Sequence, residues 1–66
     1  MNITLNGENR LLEAGLTISG LIELLGYQDK RIAVERNGEI VPRSAHGDTA
    51  LAEGDALEIV VAVGGG

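Results

Sequence analysis

The residues with the clearest chemical use close the sequence, where Gly64-Gly65-Gly66 follow directly on an apolar run ending at Val63. Glycine has no Cβ, so a glycine arm can thread a channel too narrow for other residues and present a reactive carboxylate at its end. The competing reading is a frayed tail or a cloning remnant, because disorder concentrates at termini. Other candidates are weaker. His46 belongs to a residue type that titrates near neutrality. With no second histidine and no cysteine in the chain, it is expected to be a surface loop residue rather than a base or metal ligand. Glu53 and Asp55 form the one close acidic pair. A carboxylate dyad needs a shared, shielded site, so in a turn both are expected to be solvated or to attract a basic partner. Arg43 reads as a surface cation, and nothing matches a phosphate-cradling loop. No catalytic side chain is expected, and no bound metal or cofactor.

Composition narrows the classes further. The chain has 66 residues, ten of them glycine, no cysteine, one tyrosine as its only aromatic, and a formal net charge of −5. That length supports one domain, expected over residues 1–63 with 64–66 as a flexible glycine tail. Domains of about 60 residues bury only about 60% of the surface their unfolded chains expose, so a regular fold with short loops is required. The absence of cysteine excludes disulfides, thiolate-bound zinc, iron–sulfur clusters and a cysteine nucleophile. No apolar run approaches the roughly 20 residues that cross a bilayer, and no signal peptide is recognisable, so a soluble, cytoplasmic chain without membrane contact is expected. One lysine and four arginines against ten carboxylates argue against a nucleic-acid partner.

These termini and turns need elements to hold them. Asn2-Ile3-Thr4-Leu5-Asn6 alternates with period two and predicts a strand with Ile3 and Leu5 inward. Gly7-Glu8-Asn9 is expected to turn the chain into a second strand over Arg10 to Glu13. Thr17 precedes Ile18, Leu21, Ile22 and Leu25, whose spacing puts all four on one helical face, with Thr17 as N-cap and Gly26 as terminator. Gly20 inside this helix is expected to allow close approach to a strand. An exposed Tyr27 to Lys30 connection leads to a strand over Ile32 to Glu35, an Asn37-Gly38 hairpin turn, and a return strand Glu39 to Val41 stopped by Pro42. Residues 43–53 predict a loop with a short helical turn and Leu51 plugging the core. The longest strand is expected over Ala56 to Val63, with Leu57, Ile59, Val61 and Val63 on one face. Val60 and Ala62 on the other face are either covered by a partner or simply small apolar residues of a central strand.

Hairpin, helix, hairpin, loop and final strand make the first and last strands natural parallel neighbours at the sheet centre. The expected fold class is α+β, a ubiquitin-like β-grasp with a mixed sheet of four to five strands and one helix packed on one face. The chain resembles the ubiquitin-like sulfur carrier proteins, most closely the ThiS family of thiamin biosynthesis. The resemblance runs through Asn2-Ile3-Thr4-Leu5-Asn6-Gly7, the Thr17-capped helix with Leu24-Leu25, and Ala33-Val34-Glu35-Arg36-Asn37-Gly38-Glu39-Ile40-Val41-Pro42-Arg43. It continues through Leu51, Glu53-Gly54-Asp55 and Leu57-Glu58-Ile59-Val60 to Val63-Gly64-Gly65-Gly66. The third terminal glycine and Gly20 depart from that pattern.

The resemblance implies that a ThiF-like adenylyltransferase, using ATP and magnesium, converts the Gly66 carboxylate to an acyl-adenylate. A sulfur relay, a cysteine desulfurase or equivalent, then yields a Gly66 thiocarboxylate, from which thiazole synthase takes the sulfur. In that picture Gly64 and Gly65 occupy the partner's channel, Val60, Ala62 and Val63 form the docking surface, and the free carrier is a monomer. The alternatives are a sulfur carrier for molybdopterin synthesis, a ubiquitin-like protein modifier, and a non-covalent interaction module of the same fold.

Overall fold

Two Asn-Gly dipeptides set the sheet. In the computed structural model, which describes residues 1–62, Asn6-Gly7 and Asn37-Gly38 both take positive φ at both positions (51° and 83°, 52° and 86°). That backbone is the two-residue type I′ turn, whose twist matches the strands it joins. The first turn connects β1 (Asn2–Leu5) to β2 (Glu8–Leu11), and the second connects β3 (Ile32–Arg36) to β4 (Glu39–Val41). The first hairpin therefore turns at Asn6-Gly7, one residue earlier than expected, and β2 begins at Glu8 rather than Arg10, two residues earlier. Asn6-Gly7 holds the same turn chemistry as Asn37-Gly38 and outcompetes the polar Gly7-Glu8-Asn9 run.

The last strand, β5 (Ala56–Val61), lies between the hairpins, parallel to β1 and antiparallel to β3, giving the order β2-β1-β5-β3-β4. One helix, α1 (Ile18–Leu24), covers the inner face. This is the β-grasp arrangement expected from the sequence. The core joins Ile3 and Leu5 of β1, Ile18, Leu21 and Ile22 of α1, Val34 of β3, and Leu57 and Ile59 of β5. Leu51 completes it from an irregular segment. Its position is held by backbone bonds, Leu51 N–H to Leu16 O at 2.8 Å and Ile18 N–H to Thr49 O at 3.0 Å.

The helix begins where the Thr17 hydroxyl oxygen accepts the Gly20 N–H at 3.1 Å, a cap worth about 1 kcal/mol. It ends in a Schellman motif: Gly26 has φ +77°, Gly26 N–H donates to Glu23 O at 3.0 Å and Tyr27 N–H to Ile22 O at 2.9 Å. The motif draws Tyr27 back against the core, so Tyr27 is half-buried rather than exposed as expected. Gly20 does serve close approach, but not to a strand. A Cβ there would lie 2.6 Å from Leu16 Cδ1, a side chain of the segment entering the helix.

Candidate functional site

The end of the chain that the sequence singles out is approached along β5. Its backbone alternates partners: Asn37 N–H donates to Ala56 O at 2.7 Å and Ala62 N–H to Arg31 O at 2.9 Å, so even-numbered residues bond to the β3 side. Odd-numbered residues face β1. That strand stops at Leu5, and Asn6 extends the pairing with its side chain. The amide oxygen of Asn6 accepts the Ile59 N–H at 2.9 Å, and Asn6 Nδ2 donates to Ile59 O at 3.2 Å. One residue thus closes the hairpin through its backbone and anchors the outgoing strand through its amide. Replacing it separates the two roles. Asn6→Gly keeps the turn but loses both bonds and is expected to cost about 1–2 kcal/mol in urea unfolding. Asn6→Ala adds backbone strain at positive φ and should cost more; equal losses would refute the division.

The outer face of the sheet, opposite α1, exposes two large apolar side chains with carboxylates among them. Val60 stands opposite Ala33, and Ile40 lies two strands away, opposite Glu35, which is itself opposite Glu58. Val60 is 62% and Ile40 67% exposed, and Ala62 is exposed at the last described position. Val63, Gly64, Gly65 and Gly66, expected from the sequence to complete the docking surface and the arm, lie outside the described residues.

Comparison with known proteins accords with this geometry. The family model described as "ThiS family" matches residues 3–66. The chain belongs to the ThiS family. The crystal structure of the thiamine biosynthesis protein ThiS from Geobacter metallireducens superposes on this ThiS-family chain with a TM-score of 0.84 at 35% identity, covering all of both chains. A protein named thiazole synthase from Paramagnetospirillum magneticum is 46% identical over 66 residues, and the chain spans 20% of that protein's length. A protein named uncharacterized protein ycf40 from Pyropia yezoensis is 32% identical over 66 residues, 93% of its own length.

Two residues of the ThiS-family chain read as solvated from sequence are buried. Asp55 is 5% exposed, and its carboxylate accepts from Arg36 Nε at 2.9 Å, Asn37 Nδ2 at 3.2 Å and Ala52 N–H at 2.8 Å. Burial pushes its pKa up, but the bonds from Ala52, Arg36 and Asn37, with the Arg36 charge, together hold it below the usual aspartate value. Asn37 also accepts the Ala56 N–H through its side-chain oxygen at 2.9 Å, so this cluster ties the β3–β4 turn to the start of β5. Glu53, by contrast, is exposed and accepts the Asn2 N–H at 2.8 Å. The carboxylates of the pair thus do separate jobs.

His46 is 6% exposed rather than a surface residue. Its Nε2 lies 3.0 Å from the Val41 carbonyl, an acceptor, so Nε2 carries the hydrogen and donates. The preceding 3-10 turn, Arg43–Ala45, places the ring there, and Ser19 N–H donates to His46 O at 3.1 Å. It is a peg joining that turn to α1 and β4. Among the described residues no group of three or more His, Cys, Asp or Glu side chains is placed to hold a metal ion, and no helix is long and apolar enough to cross a membrane.

Proposed function

We propose that this ThiS-family chain is a sulfur carrier of thiamin biosynthesis, working through Gly66 as its C-terminal residue. A carboxylate is a poor electrophile. A ThiF-like adenylyltransferase, with ATP and magnesium, lets the Gly66 carboxylate oxygen attack the α-phosphorus, and pyrophosphate leaves. The outer sulfur of a cysteine persulfide, supplied by a cysteine desulfurase or equivalent, then attacks the acyl carbon and expels AMP to give an acyl disulfide, and a second thiol attacks the relay cysteine's sulfur, forming a disulfide with it and releasing the Gly66 thiocarboxylate. Thiazole synthase takes that sulfur for the thiazole ring. The chain supplies a terminus and docking surfaces in the cytoplasm, with Gly64 and Gly65 in the partner's channel and no catalytic side chain of its own.

The observation that carries this reading is the family match running through the glycine end to residue 66. The two relatives named thiazole synthase, from Paramagnetospirillum magneticum and Magnetococcus marinus, each 46% identical to the chain, favour thiazole over molybdopterin as the destination. The chain spans a fifth of the length of each, consistent with a carrier and an acceptor that act on one another. Incubation with a ThiF-like enzyme, ATP and a sulfur source is expected to raise the intact mass by the difference between sulfur and oxygen. No such gain with a cognate activating enzyme would overturn the reading.

The outer face of the sheet near the end of β5 is the surface on which we place partner docking through Val60, Ala62 and Val63. Val60→Glu is expected to weaken binding to the activating enzyme at least about tenfold while leaving unfolding free energy within about 0.5 kcal/mol, because the native side chain is mostly exposed. Unfolding of the variant, or unchanged binding by calorimetry, would count against this placement.

A further inference from the structure

The five cations of this acidic chain are unevenly placed. Arg36 pairs with Asp55, and Arg10 lies 4.0 Å from Glu8. Among the described residues Lys30, Arg31 and Arg43 have no carboxylate within 4.0 Å, and all three are exposed. Two of them come together near the end of β5, where Arg43 Nη2 donates to Lys30 O at 3.4 Å, and the backbone of the third runs alongside, Arg31 O accepting the Ala62 N–H. Beside them a pocket of about 260 Å³ opens between α1, the Tyr27 to Lys30 loop and the 3-10 turn. Ile22, Tyr27 and Ile32 provide its apolar surface, and Lys30 and Arg43 line it with a single carboxylate, Glu23. Ile32 is the cross-strand neighbour of Val61, so the pocket lies on the helix side of the sheet, away from Val60 but at the same end as Ala62.

We propose that this pocket is a second docking site, taking an acidic segment of the activating enzyme. An apolar side chain of that segment would pack on Ile22, Tyr27 and Ile32, and its neighbouring carboxylates would meet Lys30 and Arg43. Three arguments select this occupant. A chain with ten carboxylates and five cations repels acidic surfaces over most of its area, so unpaired cations at one end orient an approaching partner. Any enzyme acting on residues beyond Ala62 must come to this end. The pocket is also smaller than the roughly 300–1,000 Å³ usual for small-molecule sites, and its cations are exposed, which suits a protein rim rather than a bound metabolite.

The inference rests on the sulfur-carrier reading, and the experiment separates the two. In the thiocarboxylate assay, Lys30→Glu with Arg43→Glu is expected to raise KM for the carrier at least about tenfold with kcat within about twofold. The deficit should shrink as salt rises, because the Debye length falls from about 10 Å at 0.1 M to about 3 Å at 1 M. Lys30→Gln with Arg43→Gln should give a smaller change of the same kind and guards against misfolding, which circular dichroism checks. An unchanged KM in a wild-type-active assay overturns the docking site alone. A wild-type chain that takes up no sulfur overturns the carrier reading. In that case, ¹⁵N amide shifts of Lys30 and Arg43 on adding the ThiF-like enzyme still test the site, and their absence rejects it. Equal shifts with millimolar inorganic phosphate on the free chain would identify a small-anion site and also overturn the proposal.

Discussion

A chain lacking Gly66 is expected to form no detectable thiocarboxylate, a loss of at least about 100-fold in turnover, while melting within about 2 °C of the full-length chain. The functional half follows from reach. One extended residue spans about 3.4 Å, and reacting atoms must come within about 3–3.5 Å of one another, so a carboxylate one residue short sits outside bonding distance. Misplacement by even about 1 Å can cost about 100-fold. Two glycines would still end the truncated chain, so this variant tests arm length rather than glycine content. Appending a residue after Gly66 tests the terminus itself, because it converts the reacting carboxylate into an amide. The stability half follows from the core, whose buried members among the described residues run from Ile3 to Ile59. Intact mass after incubation with the activating enzyme, ATP and a sulfur source reads the first effect, and thermal denaturation reads the second. Full sulfur uptake by both variants would remove the chemistry from Gly66.

Asp55→Ala is expected to lower the unfolding free energy by about 2–3 kcal/mol. It strips partners from Arg36 Nε, Asn37 Nδ2 and the Ala52 N–H at a position only 5% exposed. The Arg36 side chain is about one-third exposed, so solvent screening keeps the loss below that for a fully buried pair. In so small a domain this should lower Tm by roughly 10–20 °C. Glu58→Ala, an exposed position on the same sheet, should stay within about 0.5 kcal/mol. The pH dependence has a definite sign. Asp55 is held below the usual aspartate value of 3.8, so the native state binds its proton less readily than the unfolded chain does. Its contribution is present above that value and disappears as pH falls through it and then through the lower folded value. The urea stability gap between the native chain and Asp55→Asn should therefore be full at neutral pH and narrow below about pH 4. A gap constant down to pH 2 would show that Asp55 acts through packing instead of charge.

The elements were legible where the chain carries its own local chemistry. Thr17 before an i, i+3, i+4 apolar set, Gly26 after it, and Asn37-Gly38 between alternating runs each specify a cap, a stop or a turn from neighbouring residues. The parallel pairing of β1 with β5 followed from element order, because a helix between strands leaves them side by side. The first hairpin could have been placed by the same rule, since Asn6-Gly7 repeats the dipeptide of the second. The roles of single polar residues were another matter. Asp55 finds Arg36 across 19 residues, Asn6 finds Ile59 across 53, and His46 is fixed by Val41 and α1. Periodicity says nothing about such partners.

The sequence by itself determined the period of β1 and β5, the ends of the helix, the order of the sheet and the glycine run from which a carrier function is proposed. Those properties reside in residue spacing and backbone preference within a few positions. The tertiary structure alone decided that Asp55 and His46 are buried supports, that Asn6 anchors β5, and that Lys30 and Arg43 line one pocket near its end. Whether a polar side chain is solvated or buried depends on which distant donors the fold brings within about 3 Å, and that distance exists only once the chain has closed on itself.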